Sequence, residues 1–226
     1  NYLKSKIQSS TSANPNLVLD RQNDYLTNQL SDINRKCESY NLDILYISPK
    51  VVSIDMDDVR ENNPYSIHHD YCVTDKADGM SSLLYVNCNE TDEQGRETSR
   101  FIKNKIFLID SNLRVHSTNL QVSADKSEEI GVSIFNGEYL NRNKFGIAIN
   151  KFGIYDTYIW KNEDVCSEIL CSENLSVKTR IKNSKDFEKL IESSTEHNVY
   201  NFGIFIKNFI IPDNSKSVLS CTKDIW

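Results

Sequence analysis

The chain has no run of about 18 to 20 apolar residues, the length a helix needs to cross a bilayer, and residues 1–20 hold no continuous apolar segment of the signal-peptide kind. Glycine and proline are scarce, at seven and four residues, which excludes collagen-like and Pro/Gly-rich low-complexity architectures. Acidic and basic residues are interleaved around a net charge of −6. Without a stripe of Lys and Arg, nucleic acid is not an expected partner. Gly-x-Ser-x-Gly, the P-loop and Gly-x-Gly-x-x-Gly are absent, so serine-hydrolase and nucleotide-binding readings have no support. Cys-x-x-Cys and His-x-x-x-His are missing as well. His68 and His69 are adjacent, and neighbours on a strand point to opposite faces. No metal and no cofactor are expected.

What is present describes a folded chain. Eleven tyrosines and nine phenylalanines bring the aromatic share to 10%, rings that disordered chains lack. The apolar share of 38% and mean hydropathy of −0.51 fit a globular protein. A length of 226 residues allows one large domain or two small ones.

Six cysteines stand at irregular spacing, a pattern that disulfides allow and zinc sites seldom show. Cys72 and Cys88 lie in adjacent apolar runs, Cys166 and Cys171 bracket a short loop, and Cys37 and Cys221 lie toward opposite ends. Were the two runs antiparallel neighbours, Cys72 would face Cys88; fifteen pairings are open in all. Two N-glycosylation sequons, Asn89-Glu90-Thr91 and Asn174-Leu175-Ser176, follow Cys88 and Cys171. Together they point to folding outside the reducing cytosol. The chain starts at Asn1 without Met, so it is expected to be an excised ectodomain, extracellular or periplasmic. Any contact with a membrane would run through segments outside it.

Leu26, Leu30, Ile33 and Cys37 recur at intervals of four, three and four, one face of an amphipathic helix over about 17–40. Strand-like runs follow at 42–47, 51–56, 70–74, 82–88, 105–110, 114–118, 130–135, 145–150, 153–160, 176–181, 202–211 and 218–221. A second helix is expected over 185–194, with Ser184 as its cap. The sum predicts an α+β fold, a mainly antiparallel sheet with an N-terminal amphipathic helix and one later helix. Residues 1–40 form the helical segment and 41–226 the mainly β domain, with a division into subdomains near 100 left open.

Two stretches carry candidate chemistry. Tyr155-Asp156-Thr157-Tyr158-Ile159-Trp160 is the densest aromatic cluster. Strand alternation would place Asp156, Tyr158 and Trp160 on one face and Tyr155 on the other. An acid beside rings suits a cationic or amphipathic ligand, so Tyr155, Asp156, Tyr158 and Trp160 are the candidate ligand-binding residues. Val51-Val52-Ser53-Ile54-Asp55-Met56-Asp57-Asp58-Val59 resembles the first motif of haloacid-dehalogenase-like phosphohydrolases. That resemblance implies Asp55 as nucleophile and Asp57 as acid/base around Mg²⁺.

The stretch Lys105 to Thr118, KIFLIDSNLRVHST, resembles the strand–turn–strand of PAS-like Cache sensor domains, in which a strand ends in Asp, turns, and returns with small polar residues. A long amphipathic helix leading into the domain fits as well. The resemblance implies a domain that binds a small molecule outside the membrane and relays it to a signalling module. No binding residues carry over from it. The reading placed first is therefore an extracytoplasmic ligand-binding sensor domain of a membrane signalling protein, itself not an enzyme. The alternatives are a secreted or viral-type disulfide-bonded glycoprotein domain that binds a host protein, and a Mg-dependent phosphohydrolase using Asp55 and Asp57. Expected partners are a small-molecule or protein ligand, with homodimerisation left open.

Overall fold

A computed structural model describes residues 53–60, 62–64, 66–68, 71–90, 97, 103–112, 114–143, 145–174, 176–193, 202–212 and 217–224. The helix expected over 17–40, the strand expected over 42–47, and Cys37 lie outside them.

The centre of the molecule is a curled mixed sheet. Its strands are β2 (Met80–Asn87), β3 (Lys105–Asp110), β4 (Val115–Val122), β5 (Val132–Arg142), β6 (Ala148–Trp160), β7 (Glu163–Asp164) and β8 (Ile191–Ser193). They lie in the order β7-β6-β5-β2-β3-β4-β8, all antiparallel. β9 (Gly203–Ile206) adds to β6 in parallel. A separate two-stranded ribbon joins β1 (Val73–Thr74) to β10 (Phe209–Ile210). Strands come from both sides of residue 100.

The expected α+β class is corrected by this architecture. Among the described residues 42% are strand and 17% helix, and the parallel β9 makes the sheet mixed rather than antiparallel throughout. The helical elements are α1 (Arg180–Leu190), α2 (Val218–Cys221) and two 3₁₀ turns, Ala124–Glu129 and Thr222–Asp224.

The central strands read as continuous apolar runs because both their faces are buried. Leu84 and Val86 of β2 and Ile106 and Leu108 of β3 join the main core, while Leu83, Tyr85, Phe107 and Ile109 are buried on the opposite side. α1 closes the main core. Its fully buried Phe187 stacks on Phe135 at 4.4 Å and meets Trp160 edge-on at 6.4 Å, offset and T-shaped geometries that suit the ring quadrupole.

α1 begins earlier than its periodicity implies. Thr179, in extended backbone, accepts the Lys182 N–H and caps the helix. Ser184, the expected cap, lies inside it and bonds the Thr157 hydroxyl at 2.7 Å. The strand expected over 176–181 is therefore loop and first helical turn. Likewise 218–221 is helical, because the Ser217 side chain accepts the Ser220 N–H. The two strands expected over 145–150 and 153–160 are one long β6. It ends in a two-residue turn with Lys161 and Asn162 both at positive φ, the type that matches strand twist. Asn162 Oδ1 then takes the Val132 N–H at 2.9 Å. Gly131 sits so close that a Cβ there would meet Asn162 at 2.3 Å.

Candidate functional site

The outer edge of β6 is paired twice and left without a strand partner once among the described residues. β9 pairs Lys151–Ile154, and β7 pairs Ile159 and Trp160. Between them Tyr155, Asp156 and Thr157 have no strand partner on that side among the described residues. β6 is also bulged here. Gly137 of β5 lies opposite Ile154 and Asn136 opposite Asp156, leaving Tyr155 extra. Phe135 lies opposite Thr157 and Ile134 opposite Ile159, leaving Tyr158 extra. Each added residue turns the strand by one position. The residues directed at α1 and the core thus fall three apart: Ile154 and Trp160 in the core, and Thr157 with its hydroxyl on the Arg180 carbonyl at 2.7 Å.

Those bulges redistribute the four candidate ligand-binding residues. Trp160 packs in the core against Phe135 and Phe187. Tyr158 is buried on the other side, where its hydroxyl accepts from Asn136 Nδ2 at 2.8 Å. The single face expected for Asp156, Tyr158 and Trp160 does not form. Tyr155 and Asp156 remain at the open edge.

Here the structure assembles charges that sequence spacing did not reveal. Asp156 Oδ1 lies 3.3 Å from Arg180 Nε, yet that nitrogen is buried and makes no aligned hydrogen bond. Arg180 Nη1 reaches the Cys166 carbonyl at 3.5 Å. Burial pushes the Asp156 carboxyl up to about 6, against the opposing pull of Arg180 and of the Thr157 N–H. Directly opposite Gly153, Glu138 of β5 faces Lys207, just past β9. Lys207 is 6% exposed, donates to the Asp75 carbonyl at 2.7 Å, and lies 3.7 Å from Glu138 Oε2. That carboxylate oxygen is buried with no hydrogen-bond partner. Lys207 Nζ also stands 5.9 Å from the Tyr155 ring centre, within cation–π reach. Two acid–base pairs thus lie at this stretch of β6, and Lys207 of one of them stands against Tyr155. Lys207 and Arg180 have no local motif to mark them; only their distant partners on β5 and β6 do.

The five described cysteines are free thiols, and their neighbours differ from the expected ones. Cys88 lies in the core beyond β2, and burial pushes its thiol up to about 12. Cys72 is not beside it, because β1 pairs with β10 rather than β2. The neighbouring Cys171 and then burial push the Cys72 thiol up. Cys166 is likewise held up to about 12 by burial and by its hydrogen bond with Asp164. Cys221 is buried in α2.

The remaining candidates serve their own loops. Asp55 Oδ1 accepts the N–H groups of Asp57 and Asp58, and Asp57 pairs with Arg60. The described residues 53–60 form no strand, so these carboxylates do not stand at a strand end as the phosphohydrolase motif requires. His68 Nε2 bonds the Val59 carbonyl at 3.0 Å. Asn89 Nδ2 donates to Asn162 Oδ1 at 3.0 Å, whereas Asn174 is exposed and its Oδ1 accepts the Ser176 N–H at 3.0 Å. β3 forms over the expected 105–110, and its return strand β4 runs Val115–Val122, past the expected 114–118. Asp110 accepts the Asn112 and Arg114 N–H groups, the Arg114 guanidinium at 2.6 Å, and faces His116 Nε2 at 3.4 Å.

Among the described residues no three His, Cys, Asp or Glu side chains converge as a metal site, and no helix is long and apolar enough to cross a membrane. No model of a known protein family matches the chain, and no curated protein matches it either.

Proposed function

We propose that this chain is a non-enzymatic extracytoplasmic ligand-binding domain, the sensing part of a membrane signalling protein, and that its ligand site is the open edge of β6. The observation that carries the reading is the poorly matched pair of ion pairs, Asp156–Arg180 and Glu138–Lys207, with Lys207 against the Tyr155 ring. Removing charges from water costs several kcal/mol per ion unless hydrogen bonds compensate. Here Arg180 Nε and Glu138 Oε2 are left without them. A small zwitterion with a ring or aliphatic body supplies what is missing: its carboxylate completes Arg180 and Lys207, its ammonium completes Glu138 and Asp156, and Tyr155 receives the apolar part.

The test is calorimetric titration with amino acids and with their N-acetyl and methyl-ester derivatives. The reading expects saturable binding of the zwitterion and loss of it with either blocked form. At a concentration of 100 times Kd the thermal transition should gain about 2.7 kcal/mol. Lys207→Met should abolish that gain. Absence of binding across the panel would remove the reading.

A second reading, a secreted domain that binds another protein, draws on the β5–β6 turn, where Phe145 and Ile147 are 75% and 62% exposed. Phe145→Ser with Ile147→Ser separates the two: it leaves zwitterion binding intact under the first reading and removes partner capture under the second.

A further inference from the structure

We propose that the tip of the β5–β6 hairpin is a membrane-docking element that inserts Phe145 and Ile147 among the headgroups of an anionic lipid bilayer. The inference does not depend on the zwitterion reading. The hairpin outruns its sheet: β2 follows β5 only as far as Met80 opposite Tyr139, and β9 joins β6 only from Lys151. Beyond those limits Arg142 and Ala148 pair with each other and, among the described residues, with no third strand. The base is fixed by Tyr139, whose hydroxyl donates to Asn150 Oδ1 at 2.8 Å and whose ring stacks on Phe202. At the tip Asn143 Oδ1 accepts the Phe145 and Ile147 N–H groups at 2.9 and 3.0 Å. Arg142 Nη1 donates to the Gly146 carbonyl at 2.7 Å, and Gly146 itself takes a φ of +77°. This ordered turn holds its apolar side chains outward, with Phe145 and Ile147 75% and 62% exposed and Ala148 exposed beside them.

Charge identifies the occupant. From Tyr139 to Tyr155 the sequence holds three cations, Arg142, Lys144 and Lys151, and no acid, in a chain whose net charge is −6. Arg142 and Lys151 are exposed. An apolar wedge with basic residues behind it matches an anionic bilayer interface. The ring and the branched chain enter the apolar boundary, and the long cationic side chains reach the phosphates. A second exposed apolar pair, Ile54 and Met56, alternates with Asp55 and Asp57 and is repelled by the same surface. The acidic chain as a whole is repelled as well, so the tip is the part steered inward. A protein partner matches less closely, because a stable interface takes about 20–30 residues a side and the tip is one narrow turn.

The experiment sediments the folded chain with vesicles of phosphatidylcholine alone and of phosphatidylcholine with about one third phosphatidylglycerol. The expected result is binding to the anionic vesicles only, weakening as salt is raised. Lys144→Gln with Lys151→Gln should weaken it about fivefold per charge removed. Phe145→Ser with Ile147→Ser should abolish it and leave the thermal transition where it is in wild type, because both side chains are exposed in the free chain. Phe145→Trp gives the direct readout. Its emission should shift to the blue on anionic vesicles and be quenched by brominated acyl chains, with wild type supplying the background of Trp160 and Trp226. Absence of sedimentation, equal binding to phosphatidylcholine alone, binding kept by the double serine variant, or a Phe145→Trp emission that no vesicle moves would each overturn the proposal. Capture of a protein through the tip without vesicle binding would overturn it too, in favour of the protein-binding reading.

Discussion

Asp110 and Asp156 are both largely buried carboxylates beside an arginine, and they behave in opposite ways. At Asp110 burial pushes the carboxyl up, but hydrogen bonds from His116, from the N–H groups of Arg114 and Asn112 and from the Arg114 guanidinium outweigh it and hold the group at about 2. At Asp156 burial wins, and the carboxyl sits at about 6. The difference lies in the supply of aligned donors. A tight turn delivers them to Asp110 from residues within six positions; the open edge of β6 gives Asp156 one N–H and a misaligned guanidinium. The first carboxylate is spent on structure. The second retains unused capacity, as expected of a group held for a ligand.

The largest effect that sharpens this contrast is Asp110→Ala. It strands Arg114 and half-dismantles the turn, and should cost about 3 kcal/mol in urea denaturation, the range for breaking a buried pair by removing one partner. A cost below about 1 kcal/mol would place Asp110 among ordinary surface acids.

Next comes the pH dependence at Asp156. A carboxyl whose folded pKa exceeds its unfolded value binds its proton more tightly when folded. Its contribution is therefore present below about 4 and lost as pH rises through about 6. The two-unit rise corresponds to roughly 2–3 kcal/mol. Wild type should lose that much stability between pH 4 and 7 relative to Asp156→Asn, in which the slope vanishes; parallel curves for the two proteins would contradict the assignment. Asp110 has the reverse sign. Its folded pKa is depressed, so its contribution is present above about 4 and fades as pH falls toward about 2.

A smaller contrast concerns the sequons. The Asn89 amide is engaged with Asn162 inside the β6–β7 turn, while Asn174 stands exposed on a loop. Expression in a glycosylating host should yield a mass increment that Asn174→Gln removes and Asn89→Gln does not. The reverse pattern would show that the Asn89 contact opens during folding.

Much of the sheet was legible in the sequence because its signals are local. Leu83-Leu84-Tyr85-Val86 and Ile106-Phe107-Leu108-Ile109 are continuous apolar runs, and Asp110 marks its own turn. The start of α1 was not legible because of Ser184. As a good N-cap residue it drew the helix start to itself, whereas Thr179 holds the position and Ser184 serves a buried bond to Thr157. Aromatic density pointed to the right stretch, Tyr155 and Asp156, but strict alternation misplaced Trp160. The two bulges depend on pairing with β5, and nothing in residues 154–160 announces them. Arg180, Glu138 and Lys207 were invisible for the same reason: each gains meaning only from a partner on another strand or helix.

The measurement that tests the central claim most directly is a carboxyl-carbon NMR titration of the folded protein, following Asp110 and Asp156 together. The account predicts midpoints near 2 and near 6, with the Asp156 midpoint moving when a zwitterion is added. Both carboxyls titrating near 4, alongside the exposed aspartates, would contradict it.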